Sequence, residues 1–458
     1  MRKPSLPLSV AVVVLGSLFG GSCTPGGDAW QLPKVVSVEG GDSWYSLSPQ
    51  YGLVFAPAKE GGPTPMLLAD GDLLVGKDSQ PFPYRVADGA AMAVSGDMVR
   101  TMVAGKTVAI ALGAEEEAWL WLEKATPEDL AVLRVICVEQ ELTPERLALV
   151  RKVAERNPHV GLGLGTVGAL RQVLPLFNPD WVSTGSEPLE EADYAILASR
   201  KGLRLLMVDA DKQADLAFLP RLKDLRTLFI SQWDAAKTGP LPAGMANLRC
   251  VVALGAKEIK DLSPFAALGG VEALGLGIVK SLTDLGGADK LPALKALNLV
   301  GCEGVTDLSP LRNLKQLRWL GLPPKISQDQ FAAVLRDHPD LVILEAVGCE
   351  GITDLKPVQD LRQLQALAVS TPAPVEPLYE MKNLKWLAFG TAKDVPDDQV
   401  KDTLVKLQAA LPNTAIVRVA PLCLGSGWIL LLAPAIGLAW WRTARRQGNR
   451  AAADPQHA

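Results

Sequence analysis

The strongest constraint on this chain is a recurrence. From Leu294 to Leu322 apolar residues fall at Leu294, Leu297, Leu299, Cys302, Val305, Leu308, Leu311, Leu314, Leu317, Leu320 and Leu322. The opening L-x-x-L-x-L returns after 23 residues, at Leu317, Leu320 and Leu322. The same phase runs in both directions. Starts fall at Leu203, Leu225, Leu248, Val271, Leu294, Leu317, Leu341, Leu364 and Leu384, in steps of 22, 23, 23, 23, 23, 24, 23 and 20 residues. One such unit cannot bury its own apolar side, so the units must stack. Each is expected to give a short strand that buries its two later leucines, then a return segment over the opposite side.

L-x-x-L-x-L is the strand signature of a leucine-rich repeat. The return segments are regular too: Asp261-Leu-Ser-Pro-Phe265, Asp307-Leu-Ser-Pro-Leu311 and Asp354-Leu-Lys-Pro-Val358. The Asp can accept backbone N–H bonds, and Pro sets φ for a helical start. With these motifs the chain resembles the internalin-type bacterial leucine-rich repeats, best over Val305 to Leu322 and in register from about Leu203 to Gly390. The resemblance implies an α/β solenoid, a curved parallel sheet with a helical or 3-10 convex side. For function it implies protein or glycan recognition on a bacterial surface. The sequence departs from the family at the usual buried Asn, where Cys302 and Cys349 stand.

Other chemistry finds little support. A net charge of −4 over 458 residues lacks the basic stripe that nucleic acid requires. The six cysteines form no C-x-x-C. Cys302 and Cys349 would lie about 10 Å apart by strand spacing, too far to bridge, and read as small buried residues. The three histidines have no ligand-spaced partners, so no metal or cofactor is expected. The acidic runs Glu115–Glu117 and Glu190-Glu191 read as solvated faces. With no nucleophile or base in a recognisable arrangement, the chain does not read as an enzyme.

The organisation read along the chain is as follows. Residues 1–23 form a signal peptide, with Arg2 and Lys3, an apolar run from Leu8 to Phe19, and Gly20-Gly21-Ser22-Cys23, which makes Cys23 a candidate for lipidation. Residues 24–115 are a β-rich N-terminal region or cap, and 116–200 are longer, irregular repeats. In the latter, Trp119–Leu122 and Leu133–Val138 read as strands, and Pro144 to Arg156 as a helix capped by Thr143. The repeats occupy 201–390 and a C-terminal cap 391–420. Residues 421–441 read as a transmembrane helix, because Leu422 to Trp441 has no charged residue and spans about 30 Å. Arg442, Arg445, Arg446 and Arg450 follow, which makes 442–458 a cytoplasmic tail and puts the rest outside the cytoplasm. A processed sorting tail with Cys423 is the other reading of this end.

In L-x-x-L-x-L the residues flanking the second Leu point to the concave side. One column there holds Thr227, Cys250, Ala273, Ala296, Trp319, Ile343, Ala366 and Trp386; the other holds Phe229, Val252, Gly275, Asn298, Gly321, Glu345, Ala368 and Ala388. Large aromatics among small apolar residues suit interface anchors. The sequence thus suggests that Phe229, Trp319, Ile343, Glu345 and Trp386 bind an unidentified protein partner. The alternative is that a flanking domain or the N-terminal cap covers this face. The functional expectation is a membrane-anchored, extracytoplasmic recognition protein; its alternative is an envelope component that binds glycan or acts as a spacer.

Overall fold

The computed structural model describes residues 106–418, except 134, 214, 278, 385, 391–396 and 413; before residue 106 it describes only the strand residues named below. Six short strands come first: β1 (Lys34–Ser37), β2 (Ser43–Leu47), β3 (Leu53–Pro57), β4 (Met66–Leu67), β5 (Leu73–Gly76) and β6 (Ser79–Pro83). They pair antiparallel, in the order β1-β2-β5-β4 and as the pair β3-β6. Then β7 (Arg100–Val103) forms a hairpin with β8 (Lys106–Leu112) and becomes the antiparallel edge of a fifteen-stranded sheet.

From β8 onward every strand pair in that sheet is parallel and sequential. The strands are β9 (Val135–Val138), β10 (Gly161–Leu164), β11 (Trp181–Thr184), β12 (Leu205–Asp209), β13 (Thr227–Ser231), β14 (Cys250–Leu254), β15 (Ala273–Gly277), β16 (Ala296–Asn298), β17 (Trp319–Gly321), β18 (Ile343–Val347), β19 (Ala366–Ser370), β20 (Trp386–Gly390) and β21 (Ala415–Arg418). This is a leucine-rich-repeat solenoid with an open sheet. The register carries the repeat directly into three dimensions: Leu228, Val251, Leu274, Leu297, Leu320, Leu344, Leu367 and Leu387 form one ladder row. All are buried in one continuous core. Burying each leucine stabilises the stack by about 2 kcal/mol.

The return side changes along the chain. The early units return through helices α1 (Glu116–Lys124), α2 (Pro127–Ala131), α3 (Pro144–Arg156), α4 (Val167–Val173) and α5 (Glu191–Ala198). The later ones return mostly through 3-10 turns such as Ser263–Phe265, Ser309–Asn313 and Lys356–Asp360, with α6 (Ala235–Thr238), α7 (Gln328–Asp337) and α8 (Asp397–Ala410) among them. The Asp-x-x-Pro motif works as its chemistry requires. Asp261, Asp307 and Asp354 each accept the backbone N–H two residues on, at 2.8, 2.9 and 2.8 Å, and the Pro sits in the first helical turn.

One expected strand is a helix. Trp119–Leu122 lies within α1, where Ala118, Trp119 and Leu122 share a buried face at helical spacing. Trp119 Nε1 donates to the Gly113 carbonyl at 3.0 Å, and the acidic residues at the first turn suit the helix dipole. The cysteines partly replace the missing Asn. The Cys302 thiol reaches the Leu276 carbonyl at 3.1 Å and the Cys349 thiol the Pro323 carbonyl at 3.6 Å, each in the preceding unit. Burial pushes both thiols up to about 12, so they act as small hydrogen-bonding core groups and not as nucleophiles.

Charged and amide side chains join the irregular units. Arg171 grips the buried Asp193 with two bonds of 2.7 and 3.0 Å. The buried Gln213 accepts from Leu189 N–H and donates to the Glu187 and Asp209 carbonyls. The expected signal peptide with Cys23, the transmembrane helix 421–441 and the tail 442–458 lie outside the described residues. Among the described residues no helix is long and apolar enough to cross a membrane. Replacing the fully buried Leu320 by Ala is expected to cost about 2–5 kcal/mol, read as a lower urea midpoint of unfolding.

Candidate functional site

The face of the sheet turned away from the leucine core is the candidate site. Its first column, read from the ladder, runs Trp181, Leu205, Thr227, Cys250, Ala273, Ala296, Trp319, Ile343, Ala366 and Trp386. Its second runs Ser183, Met207, Phe229, Val252, Gly275, Asn298, Gly321, Glu345, Ala368 and Ala388. The expectation was an exposed strip, with cover by a flanking domain or the N-terminal cap as its alternative. Trp319, Ile343 and Glu345 are each 2% exposed and Phe229 6%. The side chain of Trp386 lies outside what the structure describes.

The structure brings Trp319, Ile343 and Glu345 together on β17 and β18. Phe229 sits four strands away on β13, about 19 Å by strand spacing. The sequence reading missed Asn298 as a site residue. Glu345 Oε1 accepts from Trp319 Nε1 at 2.7 Å and from Asn298 Nδ2 at 3.1 Å, while Asn298 Oδ1 accepts from the Val300 N–H at 2.9 Å. Asn298, Gly321 and Glu345 occupy one ladder row on three successive strands. The Asn and Glu side chains therefore meet over the middle strand, and only glycine leaves the space. A Cβ on Gly321 would lie 2.9 Å from Asn298 Cγ. The signal was present in the sequence: an Asn and a Glu either side of a Gly in a column otherwise apolar from Met207 to Ala388.

Burial pushes the Glu345 carboxyl well above the ordinary carboxylate range; the hydrogen bonds from Trp319 and Asn298 pull it down but do not offset this. Two further polar atoms on the same face are buried without a hydrogen-bond partner, Trp181 Nε1 and Thr227 Oγ1. They stand in the first column two strands apart. Such orphans cost free energy unless something supplies the missing bond. Among the described residues no group of three or more His, Cys, Asp or Glu is placed to hold a metal ion.

No protein-family model matches the sequence, and no curated protein matches it. Among solved structures, an internalin from Listeria monocytogenes aligns with a TM-score of 0.38 at 18% identity, over 66% of this chain and 93% of that one. A leucine-rich-repeat protein of Leptospira interrogans gives 0.26 at 13% identity, over 63% and 97%. The Toll–Spätzle complex of Drosophila gives 0.32 at 9% identity, over 63% and 47%.

Gly321→Ala is expected to cost about 1–3 kcal/mol by crowding Asn298. Combined with Asn298→Ala it should cost less than the two single changes added, as measured by urea unfolding. The raised Glu345 carboxyl gives a signed pH effect. In the window above the ordinary carboxylate value the folded chain holds a proton that the unfolded chain has released, so Glu345 subtracts stability as pH rises through that window. Glu345→Gln lacks this loss. Its urea midpoint should rise relative to the parent between mildly acidic and neutral pH; a constant difference would show that Glu345 does not titrate there.

Proposed function

We propose that this chain is a non-catalytic recognition protein whose sheet face takes a protein partner, held outside the cytoplasm by the apolar stretch 421–441. The observation that carries the reading is the Asn298–Trp319–Glu345 cluster set into an otherwise apolar sheet face. It places a large aromatic anchor beside a hydrogen-bonding carboxyl, flanked by small residues that let a partner approach the backbone. That is the pattern of an interface hot spot. The indole is tied to Glu345, so part of the ordering cost of binding is met in advance. The orphaned donors Trp181 Nε1 and Thr227 Oγ1 would gain acceptors from a polypeptide laid across the same column. Support for the membrane anchor comes from the uncharged run Leu422 to Trp441 and the arginines after it.

The test is a crosslinking pull-down from the native envelope, with the full chain as bait beside its Trp319→Ala/Trp386→Ala variant. A protein bound by the parent should bind the still-folded variant at least ~30-fold more weakly, equivalent to about 2 kcal/mol. Equal capture by both would remove the sheet face from the site. Retention by purified cell-wall polysaccharide, with no protein captured, would favour an adhesive role.

A further inference from the structure

We infer that Glu345 is a proton-operated catch for Trp319. Its neutral carboxyl holds the indole in the anchor position on the sheet face, and its ionisation releases the indole, so that partner binding weakens as pH rises. The catch stands on the geometry of the cluster; its consequence for binding rests on the recognition reading above.

The first argument is how the three side chains divide their hydrogen bonds. Trp319 Nε1 and Asn298 Nδ2 both donate to one oxygen, Glu345 Oε1, at 2.7 and 3.1 Å. Among the described residues none donates to Oε2. Asn298 cannot turn its amide round, because its Oδ1 accepts from the Val300 N–H at 2.9 Å. Oε1 is thus an acceptor only, and the carboxyl proton belongs on Oε2. A neutral acid satisfies both donors in this way without placing a charge in the sheet face.

The second argument is the lack of a counter-charge. Among the described residues, the side chains that share the face with Glu345 are Asn298 and Val300 at β16, Trp319 and Gly321 on β17, Ile343 and Val347 on its own strand, and Ala366, Ala368 and Ser370 on β19. None is charged. The cations that precede β16 and β17, Lys295 and Arg318, are paired with Glu272 and Asp340 at 2.8 and 3.7 Å. An ionised Glu345 would be a buried charge with two hydrogen bonds and no counter-ion. Burial accordingly outweighs both bonds in holding its proton.

The third argument is what has to move. A carboxylate persists here only if water reaches it. Of the two side chains bonded to the carboxyl, Asn298 is pinned to its own strand, so the indole is the one whose departure admits water. With the indole away the carboxyl is solvated and titrates near its ordinary value; with the indole held it keeps its proton to higher pH. Between those two values the released form gains on the held form about tenfold per pH unit. Below the ordinary value both forms are protonated, and their ratio no longer changes.

The experiment labels the full chain with 5-fluorotryptophan. It follows the fluorine resonances of Trp319 and Trp233, assigned with Trp319→Phe and Trp233→Phe, from about pH 4 to about pH 9. Trp233 is the control, fully buried in the leucine core with Nε1 2.9 Å from Thr238 Oγ1. Trp319 should pass from a held to a released signal as pH rises, while Trp233 stays in place. Glu345→Gln keeps a carbonyl oxygen for both donors and should show the held signal at every pH. A Trp319 signal that ignores pH in the parent, or titrates unchanged in Glu345→Gln, would overturn the inference. So would a Trp233 signal that moves in step, which marks general loosening. A protein captured by the parent should bind ~10-fold or more weakly at the upper pH, and equally at both ends to Glu345→Gln. Capture that falls alike in both chains would overturn the link to binding. Equal capture by the parent and Trp319→Ala at the lower pH would sink the recognition reading and leave the fluorine titration as it is.

Discussion

Everything in this molecule depends on the parallel hydrogen-bonded ladder being held at one register by buried leucines. A slip of one residue in any strand would turn its leucines out of the core and its small residues in. The ladder row from Leu228 to Leu387 shows that no slip occurs across eight strands, despite steps that vary from 20 to 24 residues along the sequence. The return segments absorb the variation. A 3-10 turn suffices for most later units, and the longer step around Leu317 to Leu341 accommodates the helix α7. In the units of Cys302 and Cys349 local chemistry decides the turn: Asp307 or Asp354 closes it, Pro starts it, and the buried thiol ties it to the unit before.

The same register makes the other face what it is. Because every strand repeats its pattern, equivalent positions line up into columns, and one residue's chemistry is set by what its ladder neighbours allow. Gly321 is the clearest case. Its missing side chain lets Asn298 and Glu345 meet from strands that are not adjacent. The resulting cluster holds a carboxyl in a place where burial favours its protonated form, and the indole of Trp319 is fixed against it. The cluster is tolerated because its members satisfy one another, and removing one partner would leave the others buried and unpaired.

Most of the solenoid could be read from the sequence because its period is long, its leucines are regular, and each unit solves the same burial problem. The strand rows of Leu297, Leu320 and Leu344 follow from spacing alone. Less legible was the region where helices replace the turns. There Trp119 to Leu122 is a short apolar run of the kind a buried strand shows, yet its buried positions follow a helical face once Glu115 to Glu117 start the helix. The columns of the sheet face were legible, including Trp319, Ile343 and Glu345, but their burial was not. Burial of a small residue on a sheet depends on what lies around and above it, which the repeat pattern does not encode. Asn298 was visible as a residue and invisible as a partner, since its contact crosses 47 residues.

The central claim, that the sheet face and not the convex side is the surface through which this chain makes its contacts, can be tested with one photo-crosslinker. Met207 is half-buried in the second column, whereas Lys356 is exposed on a return turn. A photoreactive residue at Met207 in the full chain should capture a partner's peptides in whole cells. The same probe at Lys356 should capture none. Partner peptides crosslinked through Lys356 and never through Met207 would contradict the account.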